Sequence, residues 1–344
     1  MSDSNIIGYT LLPSPYDIIT KQVLSTELKN FIKKSRETIS NIIFGKDKRK
    51  LLIIGPCSIH DVKAATEYAK LLSSIQRLYN DKIFIVMRTY FEKPRTIVGW
   101  KGLLYDPECN GSNKIVLGIN TVRHLLTEIN KIGVPCACEF LDPNMPQYYA
   151  DLISWGAIGA RTTESQIHRQ LASGLSCPIG FKNSTSGSVK YPMNSVLSCA
   201  QPHTFPGIDY NGHACIINTR GNPSCHIILR GSDSGPNYQS LDNIYKTVKD
   251  MDGIHRGIVI DCAHGNSNKN QLQQQRVWEK INNNYINNDG CVGLMIESFL
   301  KSGRVDLEFS NTEDNYGRSV TDECISWNMT QERIAHMYNS IILT

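Results

Sequence analysis

Eight short apolar segments of this chain each end at a residue that can bind a metal ion, an anion or a proton. Each segment has about four to eight residues, mostly Ile, Val, Leu, Ala and Gly, with no regular polar alternation. Such segments are typical of strands that are buried on both faces of a parallel sheet. In chain order they end at Cys57, Arg88, Glu139, Arg161, Lys182, Arg230, His264 and Glu297.

This pattern predicts an α/β fold, namely a (β/α)8 TIM barrel, because eight buried strands are separated by helix-length segments. In such a barrel the active site lies at the carboxyl ends of the strands, where the eight side chains would meet. We predict an N-terminal arm and helix over residues 1–45 and a catalytic barrel over residues 46–344. An insertion within about 184–224 resembles a β-hairpin and is expected to serve regulation or oligomer contacts.

The N-terminal extension is predicted to contain one long helix. Between Ser25 and Phe44 the apolar residues recur at helical spacing. This helix precedes the first strand, and it could serve either as a lid on the barrel floor or as an oligomer arm. Residues 1–20 are expected to be extended, because Pro13 and Pro15 oppose a helix there.

The composition fits one large catalytic domain and argues against several other classes of protein. With 344 residues, 40% hydrophobic content and a net charge of +4, the chain can bury a sizeable core but carries no strong field for nucleic acid or membranes. No apolar stretch approaches the roughly 18 residues of a membrane span, and no apolar segment opens the chain. Its eleven cysteines share no metal-finger spacing. We therefore expect a cytoplasmic protein with reduced thiols.

Four of the side chains are potential metal ligands. Cys57, His264 and Glu297 end apolar segments, and Asp322 lies shortly beyond the last one. One soft, one borderline and two hard donors would suit one divalent transition metal ion per subunit, such as Mn, Fe, Co or Zn. A single buried cysteine is more often structural, but four donors that converge at one barrel mouth favour a metal site.

A second set of side chains is cationic. Six cations clustered at one rim would repel each other unless an anion lay between them. Two phosphate groups, or one phosphate and one carboxylate, would match this charge, so the pattern predicts small phosphorylated substrates. Glu139 is interpreted either as a counter-charge that positions a lysine or water, or as an ion-pair partner. The cations are Arg88, Lys93, Arg95, Arg161, Lys182 and Arg230.

Several long motifs closely resemble the type I 3-deoxy-D-arabino-heptulosonate 7-phosphate (DAHP) synthases. They are GPCSIHD, MRTYFEKPRTIVGWKGL, WGAIGARTTESQIHR, GFKN, HIILRG, DCAHGNSNK and GLMIES. The resemblance extends from about residue 20 to the end of the chain. It departs from the family in KNSTSGS and at Ala263, where a serine is common, and neither change affects a residue assigned below.

The resemblance implies a transferase that condenses phosphoenolpyruvate with erythrose 4-phosphate and releases phosphate, at the entry to the shikimate pathway of aromatic amino acid biosynthesis. It implies Cys57, His264, Glu297 and Asp322 as metal ligands. Lys93, Cys57 and His264 would be catalytic, and Arg95 and Thr96 would meet erythrose 4-phosphate. The phosphoenolpyruvate site would comprise Arg88, Lys93, Glu139, Ala160, Arg161, Lys182 and Arg230.

The resemblance also implies feedback inhibition by an aromatic amino acid that binds away from the active site. Tyrosine is favoured, with phenylalanine and tryptophan as alternatives, and the protein is expected to form a homodimer or homotetramer. The alternative is that these residues only pack a subunit contact. The matching positions are Pro143, Gln147, Leu171, Leu175, Ser176 and Phe205.

Two other functions compete with this interpretation. A class I aldolase would use Lys182 as the amine of a Schiff base. A non-catalytic sensor of phosphorylated metabolites could keep the barrel without its chemistry. The sensor hypothesis predicts that at least one metal ligand is missing, whereas all four are present in the sequence.

Overall fold

The computed structural model describes residues 4–310 and 312–343 and contains the predicted barrel. The strands of these residues are β1 (Lys50–Gly55), β2 (Ile83–Arg88), β3 (Cys136–Glu139), β4 (Trp155–Ile158), β5 (Ile179–Lys182), β6 (Thr204–Ile208), β7 (Ala214–Asn218), β8 (Cys225–Leu229), β9 (Ile258–Asp261) and β10 (Cys291–Glu297). Eight of them, all but β6 and β7, run parallel and close into the barrel in the order β1-β10-β9-β8-β5-β4-β3-β2. Because the barrel strands are parallel, all their carboxyl ends open on one face.

Helices surround the barrel. They are α1 (Pro15–Lys21), α2 (Thr26–Ile43), α3 (Val62–Tyr79), α4 (Ile115–Lys131), α5 (Pro146–Tyr149), α6 (Gln166–Gly174), α7 (Lys190–Cys199), α8 (Leu241–Asp252), α9 (Gln271–Asn284) and α10 (Trp327–Ser340). Within the described ranges, no helix is both long and apolar enough to cross a membrane.

The apolar strand residues divide between two layers, which explains why the segments lack polar alternation. On β1, Leu51 and Ile53 belong to the cluster inside the barrel, whereas Leu52 and Ile54 belong to the layer between strands and helices. All four side chains are fully buried. Removing both faces of each strand from water stabilises the barrel, with roughly 25 cal/mol for each Å² of apolar surface buried.

The long N-terminal helix α2 closes the amino-terminal end of the barrel. Its residues Ile39, Ile42 and Ile43 are buried in the same cluster as the inward-facing residues of β1. The carbonyl oxygen of Ile43 also accepts a hydrogen bond from the backbone N–H of Gly257, just before β9, at 2.8 Å. Of the two roles predicted for this helix, the structure therefore shows the first, in which α2 covers the floor of the barrel.

The expectation that residues 1–20 are extended is wrong for the segment that forms α1. Pro15 occupies the first turn, where a helix needs no backbone N–H from it and where its fixed φ is favourable. Ser14 caps this helix, since its hydroxyl accepts from the N–H of Asp17 and the Asp17 carboxylate accepts from the N–H of Ser14. Residues 1–3 of the predicted arm lie outside the described residues.

The inserted β-hairpin is confirmed. Strands β6 and β7 pair antiparallel in a separate two-stranded sheet, with Phe205 opposite Ile217. The hairpin interrupts the usual strand-helix alternation between α7 and β8, and one of its faces is exposed to solvent.

Candidate active site

A cavity of about 380 Å³ opens at the carboxyl ends of the barrel strands. Most of the predicted substrate and metal residues line it, which agrees with the location that the strand pattern indicates. These residues are Lys93, Arg95, Thr96, Glu139, Ala160, Arg161, Lys182, Arg230, His264 and Asp322. Cys57, Arg88 and Glu297 are not part of the lining, and they are fully or almost fully buried.

The predicted metal ligands converge where the cavity meets the buried strand ends. One ligand atom each from Cys57, Glu297 and Asp322 lies within 4.8 Å of the other two. His264 lies beside this group, with its Nε2 atom 3.7 Å from Oε1 of Glu297. The structure therefore brings all four predicted donors into one neighbourhood, although three of them form the tight group.

Backbone hydrogen bonds place Cys57 within this group. Its Sγ atom accepts from the N–H of Asp322 at 3.4 Å, and its own N–H faces Sγ of Cys324 at 3.3 Å. Burial raises the pKa of the Cys57 thiol to about 11, and the negative charge of Glu297 adds to that shift. Without a bound cation, Cys57 is therefore a neutral thiol at ordinary pH.

His264 follows β9 in an unusual backbone conformation. Its φ of 53° lies in the left-handed region, which a residue with a Cβ adopts at a cost of about 1–3 kcal/mol. Asn268 and Lys269 in the same loop also have positive φ angles. This loop packs closely on the loop after β8, where a Cβ on Gly231 would lie only 2.2 Å from the backbone nitrogen of Asn266.

Arg88 lies beneath the cavity and contacts a predicted metal ligand. Its Nη2 atom donates to Oε1 of Glu297 at 2.9 Å, and its guanidinium stands 3.9 Å from the centre of the Tyr90 ring. Its Nε atom also donates to the carbonyl oxygen of Pro56. Burial by itself would lower the pKa of Arg88, but Tyr90 and Glu297 raise it, so the side chain stays cationic.

Two further cations stand on neighbouring strands at the cavity wall. The Nζ atom of Lys182 lies 3.0 Å from Oδ2 of Asp261, and the lysine is only 3% exposed. Arg230 is also buried, and within the described chain its Nη1 atom has no hydrogen-bond partner. A buried guanidinium with an unsatisfied donor at a cavity is suited to an anionic ligand.

On the adjoining part of the wall, Glu139 at the end of β3 packs against the backbone that follows β4. Its Oε1 atom lies where a Cβ on Gly159 would stand, at 2.1 Å, so the carboxylate occupies the space that this glycine leaves. The guanidinium of Arg161 reaches the loop after β2, where its Nη2 atom donates to Oγ1 of Thr96 at 2.9 Å. The exposed loop and the strand ends therefore form one continuous site.

Lys93 links the cavity to the metal-ligand group. Its Nζ atom donates to the carbonyl oxygen of Cys57 at 3.0 Å and lies 3.4 Å from Sγ of the same residue. Burial would lower the pKa of Lys93, but its electrostatic interactions with Cys57, Glu297 and Glu139 raise the pKa above its ordinary value. Lys93 therefore carries an ammonium group at the point where both parts of the site meet.

Two residues of this site are not predicted by the sequence pattern. Asp261 is fully buried and contacts both Lys182 and His264. The signal was an acidic residue inside the apolar segment GIVIDCAH, where a charge needs a compensating partner. Lys269 lines the cavity with its Nζ atom 3.6 Å from Oδ1 of Asp322, and no apolar segment points to it.

A second pocket of about 470 Å³ lies at the side of the barrel. Its walls come from α5, α6 and the β6–β7 hairpin, with Arg36 of α2 contributing a cation. The predicted effector residues all line it. They are Pro143, Gln147, Leu171, Leu175, Ser176 and Phe205.

Comparisons with known proteins agree with these findings. The model of the DAHP synthetase I family matches residues 23–335. The Tyr-sensitive phospho-2-dehydro-3-deoxyheptonate aldolase of Escherichia coli is 44% identical over 99% of this chain and 96% of its own length. The Trp-sensitive aldolase of the same organism is also 44% identical, over 96% of this chain and 95% of its own length. The solved aldolase of Francisella tularensis superposes with a TM-score of 0.95 at 42% identity, covering 98% of each chain.

Proposed function

The chain belongs to the DAHP synthetase I family, whose members are DAHP synthases, and from that premise we propose its substrates, metal and regulation. We propose that it condenses phosphoenolpyruvate with D-erythrose 4-phosphate to DAHP and inorganic phosphate, the first step of the shikimate pathway. The observation that carries this proposal is the meeting of a mixed metal-ligand group with several cations at one barrel mouth.

The donor atoms fit a divalent transition metal. Cys57, Glu297 and Asp322 offer one sulfur and two carboxylate oxygens within 4.8 Å of one another, and His264 can add a nitrogen. This mixture suits Mn, Fe, Co or Zn rather than Mg or Ca, which prefer oxygen ligands. When bound, the metal would supply Lewis-acid polarisation of the aldehyde oxygen of erythrose 4-phosphate.

We assign phosphoenolpyruvate to the cations of the barrel wall. Arg161, Lys182 and Arg230 line one cavity and would bind its phosphate and carboxylate, with the Ala160 backbone and the Glu139 side chain nearby. The unsatisfied Nη1 donor of Arg230 supports this assignment, because a buried donor without a partner gains most from an anionic ligand. Arg88 would act from beneath the cavity, through its charge and its contact with Glu297.

Erythrose 4-phosphate is assigned to the loop after β2. Arg95 and Thr96 line the outer part of the cavity, and Thr96 is already fixed by Arg161. Lys93 lies between this loop and the metal-ligand group, so its ammonium can deliver a proton or stabilise the charge that develops during condensation. The arginines hold the anions in reacting geometry, which is a positioning role.

The geometry disfavours the Schiff-base alternative. A nucleophilic lysine must be a neutral amine, and an apolar pocket without a carboxylate promotes that state. Lys182 instead lies 3.0 Å from the buried carboxylate of Asp261, so its Nζ atom is not in an apolar pocket. The sensor alternative is also disfavoured, because all four donor residues converge.

For regulation, we propose that an aromatic amino acid, preferentially tyrosine, binds the side pocket. The apolar wall formed by Leu171, Leu175 and Phe205 would take the ring, while Arg36 and Asp151 offer charges for the amino acid backbone. The names of the Tyr-sensitive and Trp-sensitive relatives support this class of effector. Phenylalanine and tryptophan are the alternatives.

We further propose that the N-terminal arm and the 184–224 insertion form subunit contacts in a homodimer or homotetramer. Large apolar side chains are exposed on both, including Ile7, Leu11 and Ile216. Exposed apolar patches of this kind mark interaction surfaces in folded proteins.

The direct test is inorganic phosphate release by the purified protein from phosphoenolpyruvate. We expect release only when erythrose 4-phosphate is also present, with DAHP formed in equal amount. The control omits erythrose 4-phosphate. Phosphate release that does not require the aldehyde, or the absence of release in the presence of added divalent metal, would contradict the proposed reaction.

A further inference from the structure

Asp261 lies between the two halves of the active site. We propose that Asp261 is a positioning residue whose carboxylate fixes both the metal-ligand His264 and the anion-binding Lys182. This inference rests on the proposed function, because it uses the assignments of those two residues.

The geometry of Asp261 is specific to these two neighbours. The residue ends β9 and is fully buried. Its Oδ2 atom lies 3.0 Å from Nζ of Lys182 and 2.9 Å from Nδ1 of His264, while Oδ1 accepts from the N–H of Ala263 at 3.0 Å. The contact with His264 departs from a linear hydrogen bond, so we treat it as an electrostatic contact.

A carboxylate in this position needs compensation. Moving an ion of this kind out of water is strongly unfavourable unless opposite charges and hydrogen bonds replace the water. Lys182, itself only 3% exposed, supplies the opposite charge. Each residue of this pair would therefore be unfavourable without the other, which ties the position of Lys182 to β9.

The contact with His264 selects which ring nitrogen faces the metal-ligand group. With Nδ1 next to Asp261, the opposite nitrogen Nε2 points toward Oε1 of Glu297 at 3.7 Å. Carboxylates that contact the distal nitrogen of a metal-binding histidine commonly orient the ring and fix its tautomer. The left-handed backbone at His264 shows that the fold holds this residue in place at an energetic cost.

These contacts form one continuous chain across the bottom of the site. Asp261 joins Lys182 and His264, and Arg88 contacts Glu297 at 2.9 Å on the far side. Lys182 belongs to the proposed phosphoenolpyruvate site, whereas His264 and Glu297 belong to the proposed metal site. A change at Asp261 should therefore disturb both binding events, although it contacts neither ligand.

The test compares Asp261→Asn with the native enzyme in two equilibrium measurements. The first is the affinity for Co²⁺ alone, measured by competition with a chelating dye. We expect it to fall by about 10–100-fold, as is typical when the outer partner of a metal-binding histidine is changed. The second is phosphoenolpyruvate binding to the metal-free protein, which we expect to weaken by about tenfold because Lys182 loses its fixed position.

The phosphoenolpyruvate measurement separates positioning from simple charge screening. Asp261 is an anion near an anion-binding site, so screening alone predicts that its removal tightens phosphoenolpyruvate binding. Tighter or unchanged binding by Asp261→Asn would overturn the positioning of Lys182. Unchanged Co²⁺ affinity would overturn the positioning of His264.

Two further variants keep the result interpretable. Cys262→Ala is the matched control, because Cys262 is the next residue but packs in the layer between strands and helices; we expect native Co²⁺ and phosphoenolpyruvate affinities. Asp261→Glu keeps the charge and moves it by one methylene, so it should weaken both affinities. This variant supplies the test if Asp261→Asn does not fold. Native affinities in that variant would count against the inference.

Cys57→Ala distinguishes failure of this inference from failure of the proposed metal site. Loss of Co²⁺ binding in Cys57→Ala, together with native Co²⁺ binding in Asp261→Asn, would overturn only the role of Asp261. Native Co²⁺ binding in Cys57→Ala would overturn the proposed metal site and this inference with it.

Discussion

The cavity at the barrel mouth and the side pocket differ in the elements that supply their residues. The mouth is lined by charged and small residues from the strand ends and from the loops that follow them. The side pocket is of comparable size, but short helices and an inserted hairpin build its partly apolar wall. The proposed chemistry therefore lies at the strand ends of the barrel, and the proposed regulation lies on helices outside the strands and on the inserted hairpin.

One buried carboxyl, that of Glu92, contacts α5 and directly precedes Lys93 of the mouth. Tyr149, at the end of α5, donates a 2.5 Å hydrogen bond to Oε1 of Glu92. Burial raises the pKa of Glu92 to about 8; the Tyr149 hydrogen bond opposes this shift, while Asp142 adds to it. At moderate pH the Glu92 carboxyl is therefore neutral.

The largest effect is expected from Cys57→Ala, which removes the soft ligand from the mouth. We expect DAHP formation to fall by about 10³-fold or more, since Lewis-acid stabilisation contributes several kcal/mol and each 1.4 kcal/mol is tenfold in rate. Tyrosine binding at the side pocket should persist when measured by calorimetry. The matched control is Cys138→Ala, whose thiol is equally buried but packs against the helices. Loss of tyrosine binding in Cys57→Ala would show that the two cavities are not independent.

A smaller effect is expected from Glu92→Gln, which tests whether the buried Glu92 carboxyl is neutral in the folded protein. Because the pKa of Glu92 is raised from 4.5 to about 8 in the folded protein, its contribution to stability is fully present below pH 4.5 and is lost as pH rises through about 8. As pH rises from 5 to 8, the free energy of unfolding of the variant should increase relative to that of the native protein, by on the order of a few kcal/mol. Urea unfolding at the two pH values measures this difference.

The control for Glu92→Gln is Glu37→Gln, which removes a carboxylate from the exposed face of α2. If the free energy of unfolding changes with pH to the same extent in the native protein and in Glu92→Gln, a neutral Glu92 carboxyl is contradicted.

The smallest effect is expected from Phe205→Ala, which removes an aromatic side chain from the wall of the side pocket. We expect the inhibition constant for tyrosine to rise by about 10–100-fold, because a buried aromatic contact contributes roughly 1–3 kcal/mol. The uninhibited kcat should stay native, since Phe205 lies on the hairpin outside the barrel mouth. Phe309→Ala, at an exposed aromatic outside the pocket, should leave inhibition unchanged. Native inhibition in Phe205→Ala would place the effector elsewhere.

The sequence predicted the barrel and most of the mouth because both follow from a local, repeated pattern. Buried strand segments are visible in the chain, and the residue after each segment necessarily reaches the same face of the barrel. Pairings between distant residues are not visible in this way. One such pairing is the contact of Arg88 with Glu297, which lies 209 positions away in the chain.

Local signals were also misread where two rules competed. Proline opposes a helix at most positions, but at the first turn of α1 Pro15 favours one. The pairing of Asp261 with Lys182 depends on the strand order of the barrel. Strand β8 pairs with both β5, which carries Lys182, and β9, which carries Asp261. The side pocket had no periodic signal at all, and only the family resemblance indicated its residues.

The central claim is that the mouth performs metal-dependent condensation without a covalent lysine adduct. The most direct measurement is DAHP formation by the native enzyme after treatment with a strong chelator, followed by addition of a divalent transition metal. We predict that the chelator abolishes turnover, that the metal restores it, and that borohydride with substrate traps no adduct. Chelator-resistant turnover with a borohydride-trapped adduct on Lys182 would contradict the account.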